Sequence, residues 1–502
     1  MSPTDLSFAS IRELGRLMRQ GQLSSRELCV WCLERLERIG PRLGAVVTVT
    51  RELALEQARR ADEELRAGRD RGPLHGIPYG AKDLLATRGI PTTWGAEPFR
   101  HQVFDYDAAV IERLREAGAV LVAKLAMVEL AGGMGYDNPD ASFTGPGRTP
   151  WNADYWSGGS SSGSGAAVAA GLVPFAIGSE TSGSILTPAS FCGVTGLRPT
   201  YGLVPRHGAM ALSWTLDKLG PLARSADDAA LVLHAMAGPD PRDPTTTGDA
   251  FAYAEPPALA RRPRIGVVRH ATASAIPEVR AAFEASVVAL RSFAELVDDV
   301  PFPDFPWGPA VSTIVDAEGA SAFRDLIESG GTRRLRSKSD RTGGYVGLMT
   351  LAVDYLEALR ARGPMRAALD ALLERYDALV LPTRNGVAPP IGHDFDKPPS
   401  AGPGVNPSPA PERGAPDPRT PGPDVAAPAP TPAPDAPRTP AVIPAGNLAG
   451  LPALCVPNGF GPHGLPTSLQ FLGRAFSETT LVALAHAYQQ ATDWHLRRPP
   501  SI

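Results

Sequence analysis

At 502 residues the chain exceeds the roughly 250 to 300 residues at which a single core usually stops growing, so it holds one very large domain or two joined lobes. With 43% hydrophobic and 20% charged residues it can bury a large core, which excludes a wholly disordered chain. The formal charge of −4 offers phosphate no general attraction, so nucleic acid is not expected as a partner, and four scattered cysteines exclude a disulfide scaffold and suit a reducing compartment.

Residues 1–68 read as an N-terminal helical layer. Ser24 or Ser25 caps RELCVWCLERLERI, and LALEQARRADEELRAG forms a second amphipathic helix ended by Gly68. The first twenty residues carry charges every few positions and lack the apolar run of a secretory signal, so a cytoplasmic chain is expected. From Gly76 to about Leu233, runs such as AVLVAKL alternate with helix patterns such as DAAVIERLREAG, which predicts an α/β layered core. The most apolar stretch, Gly165 to Ile177, is shorter than the roughly 20 residues needed to span a bilayer and reads as a buried helix, so no membrane partner is expected.

After a turn-rich link, RIGVV reads as a strand and PEVRAAFEASVVALRSFAELV as one long helix. Residues 308–376 look mostly helical, and DALVLPT reads as a buried strand. Residues 398–440 contain 16 prolines among 43 positions and no aromatic residue, which predicts a polyproline II or irregular surface excursion unable to form a core. The folded pattern resumes with PAGNLAGLPALCVPNGF and closes on the helix SETTLVALAHAYQQAT, so residues 69–397 and 441–502 are expected to form the main body.

The densest chemistry lies in Ser157 to Arg198, where small residues surround a short apolar helix. Glycine and serine permit tight turns whose N–H groups converge, as an oxyanion pocket requires, and Ser184 in ETSGSI follows three such residues. A serine needs a base, and no histidine lies in this stretch; His75 or His207 could still serve if the fold brings one near. The decoy GSSSG fits a nucleophile elbow centred on Ser161, but the preceding RTPWNADYW is turn-rich where the elbow needs a strand, so little is expected of Ser161. In GIPYGAKDL, Lys82 and Asp83 sit between apolar runs, and a desolvated lysine can act as a neutral base.

Together these blocks resemble the amidase signature family. GGSSSGSGAAVAAG is similar to its Gly-Gly-Ser-Ser block, GSETSGSILTPASFCGVTGLRPTYGLVPR to the block that follows, and GIPYGAKD to its lysine loop, in the family's order and with its step from Ser160 to Ser184. The resemblance implies a large mixed β-sheet flanked by helices on both faces. It also implies Ser184 as nucleophile, Ser160 as a bridging serine after a cis peptide bond, Lys82 as base, and the amides of Thr181, Ser182, Gly183 and Ser184 as the oxyanion site. The expected reaction is hydrolysis of a small-molecule carboxamide through an acyl-serine, extending to aryl esters or carbamates, with no metal or other cofactor, in a monomer or homodimer. Met134, Tyr136 and Trp214 are candidate pocket walls.

The chain departs from the family's usual Asp, Gly and Arg at Glu180, Ser182 and Leu186, so Glu180 is expected to find a backbone or serine partner. Two rival readings stand beside the hydrolase. One is the tRNA-dependent amidotransferase subunit that resembles this family and passes ammonia to a partner holding aminoacyl-tRNA; ETSGSIL and GAMALSW differ from that subunit's usual sequence. The other is a non-catalytic relative tethered by the proline-rich segment, against which all three catalytic residues argue.

Overall fold

A computed structural model describes residues 6–395 and 438–500. Eleven strands form one mixed sheet: β1 Val46–Val49, β2 Pro78–Lys82, β3 Val120–Leu125, β4 Phe175–Glu180, β5 Thr195–Arg198, β6 Lys218–Ala223, β7 Arg264–Val268, β8 Glu295–Val300, β9 Ala378–Pro382, β10 Ala453–Phe460 and β11 Pro466–Leu472. Their order across the sheet is β1-β3-β2-β4-β6-β5-β10-β11-β9-β7-β8. Strands β3, β2 and β4 run parallel to one another, as do β9, β7 and β8; β1 lies antiparallel on β3, and β4 to β9 are joined by antiparallel pairings.

Every residue of β2, β3, β4 and β6 is buried, so both faces of the central sheet are covered, as the apolar runs predicted. Helices pack on both sides, and the α/β architecture with a large mixed sheet is present. The N-terminal helices α1 Ile11–Arg19, α2 Ser25–Ile39 and α3 Arg51–Arg66 join the same hydrophobic core. Helix α2 starts on a capping box in which Ser24 and Glu27 satisfy each other's backbone N–H groups, and it buries Leu28, Cys29, Cys32, Leu33 and Leu36 along one face. That burial raises the thiol pKa of Cys29 to about 12, so the Cys29 and Cys32 pair behaves as core.

Two expected helices differ. The apolar run at 165–177 is the end of a short helix, α4 Ser162–Ala169, followed by a turn at Gly171 with φ +62° and then β4; glycine allows the left-handed turn and Pro174 cannot continue a helix. The helix beginning at Pro277 stops at Arg291, and ELVDDV becomes the edge strand β8, whose ladder to β7 outweighs its weak helical pattern. The segment read as a proline-rich excursion lies, save for residues 438–440, outside the described residues. Among the described residues no helix is long and apolar enough to cross a membrane.

Candidate active site

Strands β2 and β4 lie side by side as the third and fourth strands of the sheet, with Tyr79 opposite Phe175, and their ends carry the polar residues. Lys82 is the last residue of β2 and is fully buried. Its ammonium or amine reaches three hydroxyls: Ser160 Oγ at 2.7 Å, Ser179 Oγ at 2.9 Å and Ser161 Oγ at 3.0 Å. Burial pushes the Lys82 pKa down to about 7, although Asp217 and Glu180 oppose the shift. Such an amine is about half neutral at pH 7 and largely neutral by about pH 8. Asp83, its neighbour, serves the scaffold instead, forming a buried ion pair with Lys124 at 3.1 Å and accepting the Thr93 N–H at 2.9 Å.

Ser160 follows a cis peptide bond from Gly159. Next to it, Ser161 stands at the start of α4; its N–H donates to the Ser184 carbonyl at 3.3 Å, and its hydroxyl donates to the Ser179 carbonyl at 3.2 Å. Residues 148–156 form no strand before it, so the elbow geometry is absent. Ser161 is not the centre of an elbow, yet its side chain is one of the three hydroxyls around Lys82.

Ser184 sits on the turn between β4 and the helix α5 Leu186–Cys192, facing a cavity of about 450 Å³. Gly183 has φ +91°, a left-handed conformation that lets the chain reverse and aims successive amides to one side. Among the described residues, no hydrogen bond occupies the backbone N–H of Ser182, Gly183 or Ser184. Thr181 donates its hydroxyl to Asp217 Oδ1 at 2.6 Å, and Asp217 Oδ2 in turn accepts the N–H groups of Leu212 and Ser213.

Glu180 holds this turn from within. Its Oε2 accepts the N–H groups of Ile185 at 2.8 Å and Leu186 at 3.0 Å, and its Oε1 accepts from Arg198 Nη1 at 2.9 Å and Asn447 Nδ2 at 2.8 Å. Burial alone would raise its pKa, yet Arg198, Lys218 and the hydrogen bonds bring it below the ordinary value. The expected backbone partners are present and a serine partner is not; the arginine absent at position 186 is replaced by Arg198 on β5. Lys218, opposite Glu180 on β6, is buried, with no partner for its Nζ among the described residues and a pKa pushed well down by burial.

Of the candidate walls, Tyr136 lines the Ser184 cavity, and Trp214 lines an adjoining one that shares Thr181, Ala131 and Leu212. Met134 does neither: it is buried against Gly344, which has no side chain to keep it away. His75 lies against Glu64 at 3.3 Å in the N-terminal layer, and His207 packs tilted against Tyr106 and lines the adjoining cavity. Among the described residues no histidine is hydrogen-bonded to Ser184, Ser160 or Lys82, and no cluster could hold a metal ion. Sequence reasoning missed Ser179 and Arg198, which lie inside the quoted serine block but had no role there, and Asp217 and Arg384, which reach the site from separate elements and share no local motif.

The family described as Amidase matches residues 27–402. An Azoarcus sp. protein named as the A-type subunit of glutamyl-tRNA(Gln) amidotransferase is 38% identical, covering 98% of this chain and 99% of its own. Its namesake in Moorella thermoacetica is 35% identical, covering 99% of each. Among solved structures, the native peptide amidase of Stenotrophomonas maltophilia is 32% identical, with 98% of each chain covered and a TM-score of 0.78. These names correct the expectation of a small-molecule partner alone, with no nucleic acid, in a monomer or homodimer: full-length relatives are named as subunits of an enzyme acting on a tRNA. The physical reason is that net charge sums the whole chain and reports long-range attraction, whereas a subunit can serve an assembly whose nucleic acid another chain holds.

Proposed function

We infer, for a chain that belongs to the amidase family and so hydrolyses C–N bonds, that Ser184 attacks a carboxamide carbonyl while Ser160 and Lys82 move the protons. The observation that carries this reading is the buried Lys82 amine, surrounded by hydroxyls alone and lowered to about 7. In this reaction neutral Lys82 accepts the Ser160 proton as Ser160 accepts that of Ser184, and the new Ser184 Oγ–C bond leaves an oxyanion facing the amides of residues 181–184. Collapse breaks the C–N bond, and Ser160 returns a proton to the departing nitrogen. Water then repeats the transfers on the acyl-serine, releasing the acid and restoring Ser184.

Two measurements test it together. Ser184→Ala should lose hydrolysis by several orders of magnitude and lose labelling by a fluorophosphonate. Retained activity, or a label that moves to Ser161, would overturn the assignment.

A second reading concerns the fate of the nitrogen, and the curated relatives favour it: the chain acts as the amidohydrolase component of a tRNA-dependent amidotransferase, releasing ammonia to a partner chain. A tagged chain isolated from its own cells should then carry stoichiometric partner chains, and aminoacyl-tRNA should stimulate ammonia release. A chain that purifies alone and turns over simple amides at a full, tRNA-independent rate would refute that reading and leave the Ser184 chemistry standing.

A further inference from the structure

Arg384 follows β9 in the sequence LPTR and lines the cavity that holds Ser184. It also lines the neighbouring recess of about 480 Å³, and Trp156 and Phe395 are the other walls common to both. The arginine thus stands where the two spaces adjoin.

Its guanidinium has no carboxylate partner and no hydrogen bond among the described residues; its carbon Cζ lies 5.8 Å from the centre of the Phe191 ring. Arg198, Arg206 and Arg362, by contrast, have protein partners: Arg198 in Glu180, Arg206 in Thr245 and the Trp214 carbonyl, Arg362 in the Leu448 and Thr215 carbonyls. Among the described residues, Arg384 is the only charged one lining the Ser184 cavity. Burial among protein atoms lowers its pKa, with Tyr136 opposing, yet its side chain is exposed to the cavity space. The two facts are compatible: the group sits deep within the protein's outline but faces an open space.

An arginine presents a planar fork matched to a carboxylate, and in a recess walled by Tyr136, Trp156 and Phe395 the attraction is screened less than at an open surface. A neutral amide offers this cation a hydrogen-bond acceptor but no countercharge. We propose that Arg384 receives a carboxylate on the substrate, making the preferred substrate a small carboxamide that also carries a carboxylate group. The proposal rests on the reading that Ser184 is the reacting residue, and the test separates the two.

Binding is measured by calorimetry in the Ser184→Ala background, with glutaramate and its neutral counterpart pentanamide as probes, each with and without Arg384→Met. Glutaramate should bind more tightly than pentanamide, and Arg384→Met should weaken glutaramate by about 10- to 100-fold while moving pentanamide less than about threefold. Arg384→Lys should fall between. Equal binding of the two probes, or equal weakening of both by Arg384→Met, overturns the carboxylate site. Intact, Arg384-dependent binding together with a Ser184→Ala protein as active as the parent would instead sink the Ser184 reading alone.

Discussion

Lys82 supports a prediction with two readouts of opposite sign. If the neutral amine is the base, kcat/KM rises with pH through about 7 and is flat above it. At pH 6 only about a tenth of the amines are neutral, and at pH 5 about a hundredth, so activity should fall about tenfold per pH unit below 7. Lys82→Met should remove both the activity and this limb. The stability of Lys82→Met should move the opposite way to its activity. Between about pH 7 and the ordinary lysine range the unfolded chain binds a proton that the folded one does not, so the stability contributed by this group rises with pH across that window; below it the fold must bury a cation. Lys82→Met should therefore unfold at a higher temperature than the parent near pH 6, and the gap should narrow toward pH 10. The assays are initial rates on a carboxamide from pH 5 to 9 and thermal unfolding by circular dichroism from pH 6 to 10. A flat profile, or a limb at 7 that survives in Lys82→Met, would refute the reasoning.

Two further substitutions address the surroundings. Glu180→Gln leaves Arg198 buried without a charge partner and should cost about 3 to 5 kcal/mol in denaturant unfolding, with part of the loss recovered on adding Arg198→Met. Ser161→Ala removes one of the three Lys82 oxygens but leaves Ser160 at 2.7 Å, so kcat should drop about tenfold while fluorophosphonate still labels Ser184; an unchanged kcat would mean that this contact does not reach the reaction.

Strands such as 120–125 and 378–382 were readable because they are continuous apolar runs, the pattern of a sheet buried on both faces. Edge strand β8 was not, because half-exposed ELVDDV has no periodicity to distinguish it from the end of a helix. The Lys82, Ser160 and Ser184 blocks were legible as local motifs. Their supports were not: Ser179 meets Lys82 across 97 positions of sequence, and Asn447 meets Glu180 across 267. Arg384 had no signal because an arginine after a strand reads as a solvated end, and only the surrounding walls give it meaning. Charge misled the reading of partners, since a sum over the chain is silent about what an assembled neighbour holds.

The strand order carries one more consequence. Strands β10 and β11, from residues 453–472, lie between β5 and β9, so the last sixty residues are not an appendix but the middle of the sheet. A chain divided between Phe395 and Arg438 would yield a large fragment holding two separate strand blocks, β1 to β6 and β7 to β9, and a small one holding the pair that joins them. Neither piece could satisfy its inner strand edges alone, and Asn447, which braces Glu180, belongs to the small one. The turn that carries Ser184 would regain the Asn447 contact to Glu180 only after the small fragment had docked, so activity recovered on mixing the two fragments should report their reassembly.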